Sequence, residues 1–329
     1  MYQPPFSISS AAVNLIAEIS ALVERYAIRL ERSDGLRLRK ASRIKTIYSS
    51  LALEGNRLSE HEVRDVLQGK TVVAPLREIQ EVRNAIKTYE LYSSLDAFSL
   101  SDLLKAHGVM MSALADDAGS FRRGGVGVFA GTSLVHMAPP ADRVPGLMND
   151  LFEWLRQAED HLLIRSCVFH YEFEFIHPFS DGNGRMGRLW QSLLLGKLHP
   201  AFEHLPVENM VYANQQAYYE AISASSARVD CAPFVEFMLR EILKTLQHHR
   251  NPHEDVGING GINVGINLTP AQQRLVELIK RQPRLSVREM AERLELSQRQ
   301  AERVVASLRE KNVIWRVGSN KSGYWEVLD

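Results

Sequence analysis

Cysteine is almost missing from this 329-residue chain. Its two cysteines, Cys167 and Cys231, cannot build a disulfide framework, and their spacing from each other and from histidine fits no zinc motif. Both read as buried core thiols. No apolar run approaches the ~18 residues needed to cross a bilayer, and Glu18 and Glu24 interrupt the first apolar stretch. Neither a membrane partner nor a signal peptide is expected. Charge of one sign is not in excess either: Lys plus Arg (39) equals Asp plus Glu (39), which excludes a chain-wide coat for nucleic acid or anionic lipid. What remains is 45% hydrophobic and 24% charged residues, the balance of a soluble globular protein of a reducing, cytoplasmic compartment. The length suits two domains.

Helical periodicity dominates up to residue 248. Val13, Ile16, Ile19, Leu22, Val23 and Tyr26 recur every three or four residues and so share a helical face. A second helix is predicted from Leu38 to Glu54, stopped by Gly55, and a third from Ser59, where Glu62 completes a capping box, to Gly69. The stretch from Leu76 to Leu95 is again periodic. Between Gly119 and Pro145 the character breaks: five Gly and three Pro flank two β-prone runs, read as a short hairpin. Helices are then predicted over 145–156, 163–175, 182–198, 214–224 and 233–246. These expectations give an N-terminal helical region (1–70), a helical core (71–247), a linker (248–267) and a small domain (268–329).

The linker holds His248, His249 and His253 and three Gly-Ile-Asn triplets. No acidic or Cys ligand is spaced to complete a metal shell, so it reads as a solvated connector. In the tail, Thr269-Pro270, Ser286 and Ser297 each open a helix, and 313–317 and 324–328 form a hairpin. That order is the order of a winged helix-turn-helix. Its charge, 12 basic minus 8 acidic residues or +4, is mild. Gln298, Arg299, Gln300 and Arg303 suit base edges and phosphates, whereas Glu295, Glu302 and Glu310 dilute the field. A DNA-binding regulator and a protein-docking or homodimerisation module both remain open, the latter favoured.

One segment concentrates the chemistry: His177-Pro-Phe179-Ser-Asp181-Gly182-Asn183-Gly184-Arg185-Met186-Gly187-Arg188. Gly182 and Gly184 lack side chains, so backbone N–H groups can close around an anion where a loop enters a helix. The positive end of that helix faces the same anion. Asn183 adds an amide donor, and Arg185 and Arg188 can fork onto phosphate oxygens. Asp181 is a hard oxygen ligand for Mg²⁺, which needs few protein carboxylates when phosphates supply the rest. His177 stands just before the anion loop, where a general base belongs. Together they describe phosphoryl or nucleotidyl transfer.

The segment resembles the signature of the Fic (filamentation induced by cAMP) family, H-x-F-x-[D/E]-G-N-G-R-x-x-R. All eight specified positions match, a coincidence on the order of one in 10¹⁰ per window. The resemblance implies an all-α helical core with a β-hairpin flap, and transfer of AMP from ATP, with Mg²⁺, to a Ser, Thr or Tyr hydroxyl of a target protein. His177 would be the base, Asp181 the metal ligand, and Gly182 to Arg188 the ATP-binding loop. Gly119-Ser-Phe121-Arg122 and the strand with Val126, Gly127 and Val128 look like the family's flap, whose edge aligns the target by strand addition. Asn214, Tyr218 and Tyr219 resemble the region lining the base pocket, with Tyr219 readable as pocket or as core. Ser50-Leu-Ala-Leu-Glu54-Gly55 resembles the inhibitory motif [S/T]-x-x-x-E-[G/N]; the implied contact is from Glu54 to Arg188. Removal of AMP by the same site, or transfer of another phosphoryl group, is the alternative chemistry.

Overall fold

Ser59 accepts the Glu62 N–H while the Glu62 carboxylate takes the Ser59 N–H and hydroxyl, and this reciprocal cap starts a helix where the sequence asks for one. The same device recurs at Thr269/Gln272 and Ser286/Glu289. The computed structural model describes residues 2–30, 35–130, 133–205, 207–248, 269–294, 296–310, 313–317 and 324–327. The chain divides into two units, Met1–Arg250 and Asn251–Asp329.

In chain order the first unit contains α1 (Ser10–Leu30), α2 (Gly35–Leu53), α3 (Glu60–Leu67), α4 (Leu76–Glu90), α5 (Leu100–Met110), β1 (Gly127–Ala130), β2 (Ser133–Met137), α6 (Val144–Gln157), α7 (Leu162–Ile176), α8 (Asn183–Leu198), α9 (Val207–Ala213), α10 (Gln215–Arg228) and α11 (Ala232–His248). Its fold is all-α apart from the antiparallel β1–β2 hairpin, in which Gly127 faces Met137 and Val128 faces His136, with a register irregularity after Val128. No described helix is long and apolar enough to cross a membrane.

The core is built on α7 and α8. Phe169, Phe173, Met186, Leu189 and Trp190 are fully buried, and α7 is covered on every side, so its sequence shows almost no polar face. Gly187 lets the two helices approach closely: a Cβ there would lie 2.7 Å from Glu174 Oε1 and 3.2 Å from Phe173. The N-terminal helices belong to the same unit; α1 packs on α11, and α2 packs on α9 and α4. Both cysteines are buried and form no disulfide.

Some expectations differ in detail. The predicted stretch 76–95 is α4 followed by a single 3₁₀ turn at Tyr92–Ser94, because Tyr92 turns in to hydrogen-bond the Ser192 carbonyl across the core. Helices α5 and α9 were not read from the sequence; at 11 and 7 residues they are short, so periodicity has few turns to show itself over. Residues 249–268, with most of the expected linker and its His249 and His253, lie outside the described residues.

The second unit contains α12 (Pro270–Arg281), α13 (Val287–Arg293), α14 (Gln298–Glu310), β3 (Ile314–Val317) and β4 (Tyr324–Val327), in the order expected. Leu275, Ile279, Met290, Leu308, Ile314 and Trp325 form its own core, and Trp325 donates to the Leu285 carbonyl at 3.0 Å. The loop 318–323 lies outside the described residues.

Candidate active site

His177 ends α7 in the left-handed conformation (φ 50°, ψ 63°), uncommon for a residue with a Cβ. Its N–H still bonds the Phe173 carbonyl at 2.9 Å, so the helix terminates there and the chain turns sharply towards α8. A buried guanidinium holds the turn: Arg122 donates to the carbonyls of His177 (2.7 Å), Gly124 (2.8 Å), Pro139 (2.6 Å) and Ile176 (3.3 Å). Gly124 and Pro139 flank the β1–β2 hairpin, so one side chain ties both feet of the flap to the backbone of His177. Arg122 was legible only as part of the flap; its clasp is a tertiary fact.

The loop between the helices is closed from within. Asn183 Nδ2 donates to the Phe179 carbonyl and Asn183 Oδ1 accepts the Phe179 N–H, both at 2.9 Å. The amide expected to reach an anion is therefore used to shape the loop, where it satisfies both backbone groups of Phe179. His107, buried in α5, accepts the Gly119 N–H on Nδ1 (2.9 Å) and reaches the Asp181 carbonyl with Nε2 (3.0 Å). Its ring stacks on Phe179 at 3.6 Å. Burial lowers its pKa, which keeps one nitrogen an acceptor and the other a donor. Gly182 takes φ 86°, and a Cβ there would strike the Met111 sulfur at 2.8 Å.

Helix α8 then opens with no side-chain cap, so the first N–H groups, from Asn183 to Arg185, have no partner within the helix. Met186 N–H already bonds the Gly182 carbonyl and its side chain is core, and Gly187 serves packing. Of the loop residues expected to seat an anion, Gly182, Gly184, Arg185 and Arg188 stand around the open start of α8, while Met186 and Gly187 lie behind it.

That seat faces a carboxylate. Arg188 Nη2 donates to Glu54 Oε1 at 2.8 Å, to the Ser50 carbonyl at 3.2 Å and to Ser50 Oγ at 3.4 Å. A Cβ on Gly184 would lie 2.5 Å from Glu54 Oε1, so the Glu54 carboxylate rests directly over the start of α8. Arg188 is 4% exposed and Glu54 33%. Burial disfavours the charge of Arg188, but Glu54 more than offsets it and the pKa is raised. The end of α2 is built for this reach. Asn56 N–H bonds the Leu51 carbonyl and Gly55 N–H the Ala52 carbonyl, with Gly55 at φ 89°, which is a Schellman motif. The chain leaves at Gly55 and Glu54 stays as the last side chain of the helix.

Asp181 lies between two cations, Arg185 Nη2 at 3.2 Å from Oδ1 and Arg77 Nη2 at 3.3 Å from Oδ2. Its side chain is 43% exposed, and among the described residues no cluster of three or more potential ligands surrounds it. A single accessible hard oxygen beside an anion seat fits Mg²⁺ delivered with phosphates, and does not fit a closed protein cage. Arg77 gave no signal in the sequence, since it is an ordinary surface residue of α4.

Next to His177 stands Glu174, buried, its pKa pushed up to about 7 chiefly by burial, with the charge of Glu54 adding and that of Arg188 opposing. It was also missed, although a carboxylate inside the apolar run Phe173-Glu174-Phe175-Ile176 is a sequence anomaly. Tyr218 is core: it is buried and its hydroxyl lies 3.1 Å from His170 Nε2. Tyr219 is half-buried, edge-on to Tyr218. Asn214 donates to the Met210 carbonyl (3.1 Å) and Glu241 Oε2 (2.8 Å), so its amide ties α9 to α11. In the flap, Val126 accepts the Ala138 N–H at 3.2 Å and Gly127 follows in β1; the Val128 side chain is outside the described residues.

A sequence model of the Fic/DOC family matches residues 97–195. The chain is 28% identical to "Protein adenylyltransferase Fic" of Aedes aegypti over 213 residues, 61% of this chain and 40% of that protein. It is 27% identical to "Protein adenylyltransferase fic-1" of Caenorhabditis elegans over 251 residues, 71% of this chain and 46% of that one. The chain thus spans under half the length of these curated relatives. Among solved structures, Fic-1 (residues 134–508) of C. elegans shares the fold, with a TM-score of 0.61 at 20% identity, 74% of this chain matching 73% of that one. A Fic family protein from Desulfovibrio desulfuricans G20 superposes with a TM-score of 0.74 at 41% identity, over 99% of this chain and 98% of that chain. With the complete loop signature folded between α7 and α8 and a relative matched from end to end, this chain belongs to the Fic family.

Proposed function

We propose that this chain transfers AMP from ATP to a hydroxyl of a Ser, Thr or Tyr side chain on a target protein, and on itself, under restraint by Glu54. The observation that carries the reading is the Glu54 carboxylate seated on Arg188 above Gly184, within the loop signature that begins at His177. An anion already occupies the place that the resemblance gives to the terminal phosphate.

The side chains support the chemistry in order. His177 Nε2 takes the proton of the incoming hydroxyl, whose oxygen attacks the α-phosphorus; the bond to the bridging oxygen breaks and pyrophosphate leaves. The N–H groups at the start of α8, with Arg185 and Arg188, hold the phosphates and stabilise charge as it moves onto the leaving group. Asp181 would hold Mg²⁺, which supplies neutralisation of phosphate charge. The flap, anchored by Arg122, offers its backbone edge to an extended target segment.

To test the reading, full-length Glu54→Gly protein is incubated with ATP labelled on the α-phosphate, in parallel with γ-labelled ATP. Label on protein from the first and none from the second is expected, lost with His177→Ala added. Label from the γ position instead would mean a kinase, and no label from either would refute transfer.

For the second unit we infer protein docking. Gln298 bonds Glu302 (3.1 Å) and Gln300 is taken up in capping Ser297 (2.9 Å), so two of the four candidate base readers on α14 are engaged locally. A mobility shift with a steep salt dependence would refute this.

A further inference from the structure

The buried cluster behind His177 contains a carboxylate that the transfer chemistry above does not use. Glu174 lies one turn before His177 on α7. His177 Nδ1 is 3.3 Å from the Glu174 carbonyl oxygen and 3.9 Å from Glu174 Oε2, so the inward face of the imidazole meets two oxygens of the same residue. The other carboxylate oxygen, Oε1, is 3.8 Å from His170 Nε2 and accepts no hydrogen bond. Gly187 of α8 lies against it: a Cβ there would come within 2.7 Å of Oε1.

We propose that Glu174 is a positioning residue for His177: its carbonyl oxygen accepts a hydrogen bond from Nδ1 and leaves Nε2 as the acceptor, while its carboxylate stabilises the imidazolium formed when the hydroxyl proton arrives. The proposal rests on the reading of His177 as the base. No covalent bond changes at Glu174; it supplies negative charge to a ring that becomes positive.

Each group around Glu174 bears on whether it serves this purpose. Arg188 of α8 lowers its pKa, yet among the described residues Glu174 makes no ion pair with an arginine or lysine, and Arg188 spends Nη2 on Ser50 and Glu54. Glu54, from the end of α2, repels it, so withdrawal of Glu54 favours its ionised form. Tyr218 and Tyr219 of α10 face it as neutral phenols, their pKa values raised by burial first. His170 on the same helix is held neutral, with a pKa lowered to about 4 by burial. His177 is then the neighbouring group whose charge changes during turnover. A carboxylate held near neutrality can follow that change, whereas one fixed on a guanidinium could not.

The test uses the full chain carrying Glu54→Gly, with Glu174→Gln and, because Gln brings a buried amide that needs partners of its own, Glu174→Met as a second uncharged variant. Two readouts are taken: the titration of His177 by histidine-labelled NMR, and kcat and KM for ATP against pH. Removing an opposite charge at this range lowers the His177 pKa by about one unit or more, and the acid limb of kcat moves down with it. We expect kcat at neutral pH to fall about 10-fold with KM for ATP little changed. A folded variant of either kind with an unshifted His177 titration and an unshifted acid limb overturns the proposal. The NMR titration needs no turnover, so a chain that transfers nothing refutes the AMP reading and still decides the role of Glu174.

Discussion

Replacing Glu54 is the sharpest probe of the resting state. Its bond to Arg188 is charge-assisted and 2.8 Å long, with the guanidinium buried and the carboxylate one-third exposed. Such a bond is worth ~1.5–3 kcal/mol, which converts to roughly 10–150-fold in the apparent affinity of a phosphate competing for the same fork. Two smaller effects nearly offset each other. The start of α8 attracts the carboxylate, while the C-terminal end of α2, on which Glu54 sits, repels it, each by ~0.3–1 kcal/mol. Partial exposure puts the expectation in the lower part of the range, about 10–30-fold. Calorimetry with a non-hydrolysable ATP analogue and Mg²⁺ reads this directly. Glu54→Gly is expected to bind most tightly, Glu54→Gln, which keeps a neutral acceptor, in between, and the unaltered chain most weakly. Transfer of α-labelled AMP is expected to follow the same order. If Glu54→Gly binds the analogue no more tightly and transfers no faster, the carboxylate does not restrain the site and the reasoning fails.

Three further outcomes are expected. Gly187→Ala forces a methyl to within 2.7 Å of Glu174 Oε1 and 3.2 Å of Phe173, an overpacking that costs ~1–3 kcal/mol and is read as a lowered melting temperature. Arg77→Ala frees one oxygen of Asp181 from a competing cation, so, with Asp181 as the proposed Mg²⁺ ligand, less Mg²⁺ is expected to be needed for half-maximal nucleotide binding by calorimetry; an unchanged Mg²⁺ requirement would remove Arg77 from the site. Stability against pH separates two buried groups. His170, lowered from 6.5 to about 4, contributes stability that is complete above pH 6.5 and is lost as pH falls towards 4. Glu174, raised from 4.5 to about 7, contributes stability that is present below pH 4.5 and is lost as pH rises to 7. Urea melts of Glu174→Gln against the unaltered chain are therefore expected to shift in the variant's favour by up to about 3 kcal/mol between pH 4.5 and 7, and a flat difference would refute the raised value.

Much of the molecule was legible because its cues are local. Capping boxes, glycine stops and three-to-four-residue periodicity act within one or two turns, and α3, α7, α8, α12 and α13 follow from them. The loop from His177 to Arg188 was equally plain, since an anion seat at a helix start needs small residues and cations at fixed spacing. Residue identity alone did not assign roles within it. Asn183 and Gly187 read as ligand contacts, yet one closes the loop on Phe179 and the other admits α7 against α8. His107, Arg122 and Arg77 come from segments distant in the chain; nothing near His107 or Arg77 in sequence marks them, and Arg122 was marked only as part of the flap. Their partners are backbone carbonyls and an N–H, plus the Asp181 carboxylate, brought near only when α4, α5 and the flap pack on the α7–α8 hairpin. By itself, then, the order of residues determined a helical chain, the complete loop signature from His177 to Arg188, and the Ser50–Gly55 motif at the end of a helix far upstream of it. Tertiary packing decided that Glu54 lands on Arg188, that Arg122 locks the flap to His177 and that Glu174 lies buried behind the imidazole, because burial and charge pairing are properties of space and not of spacing.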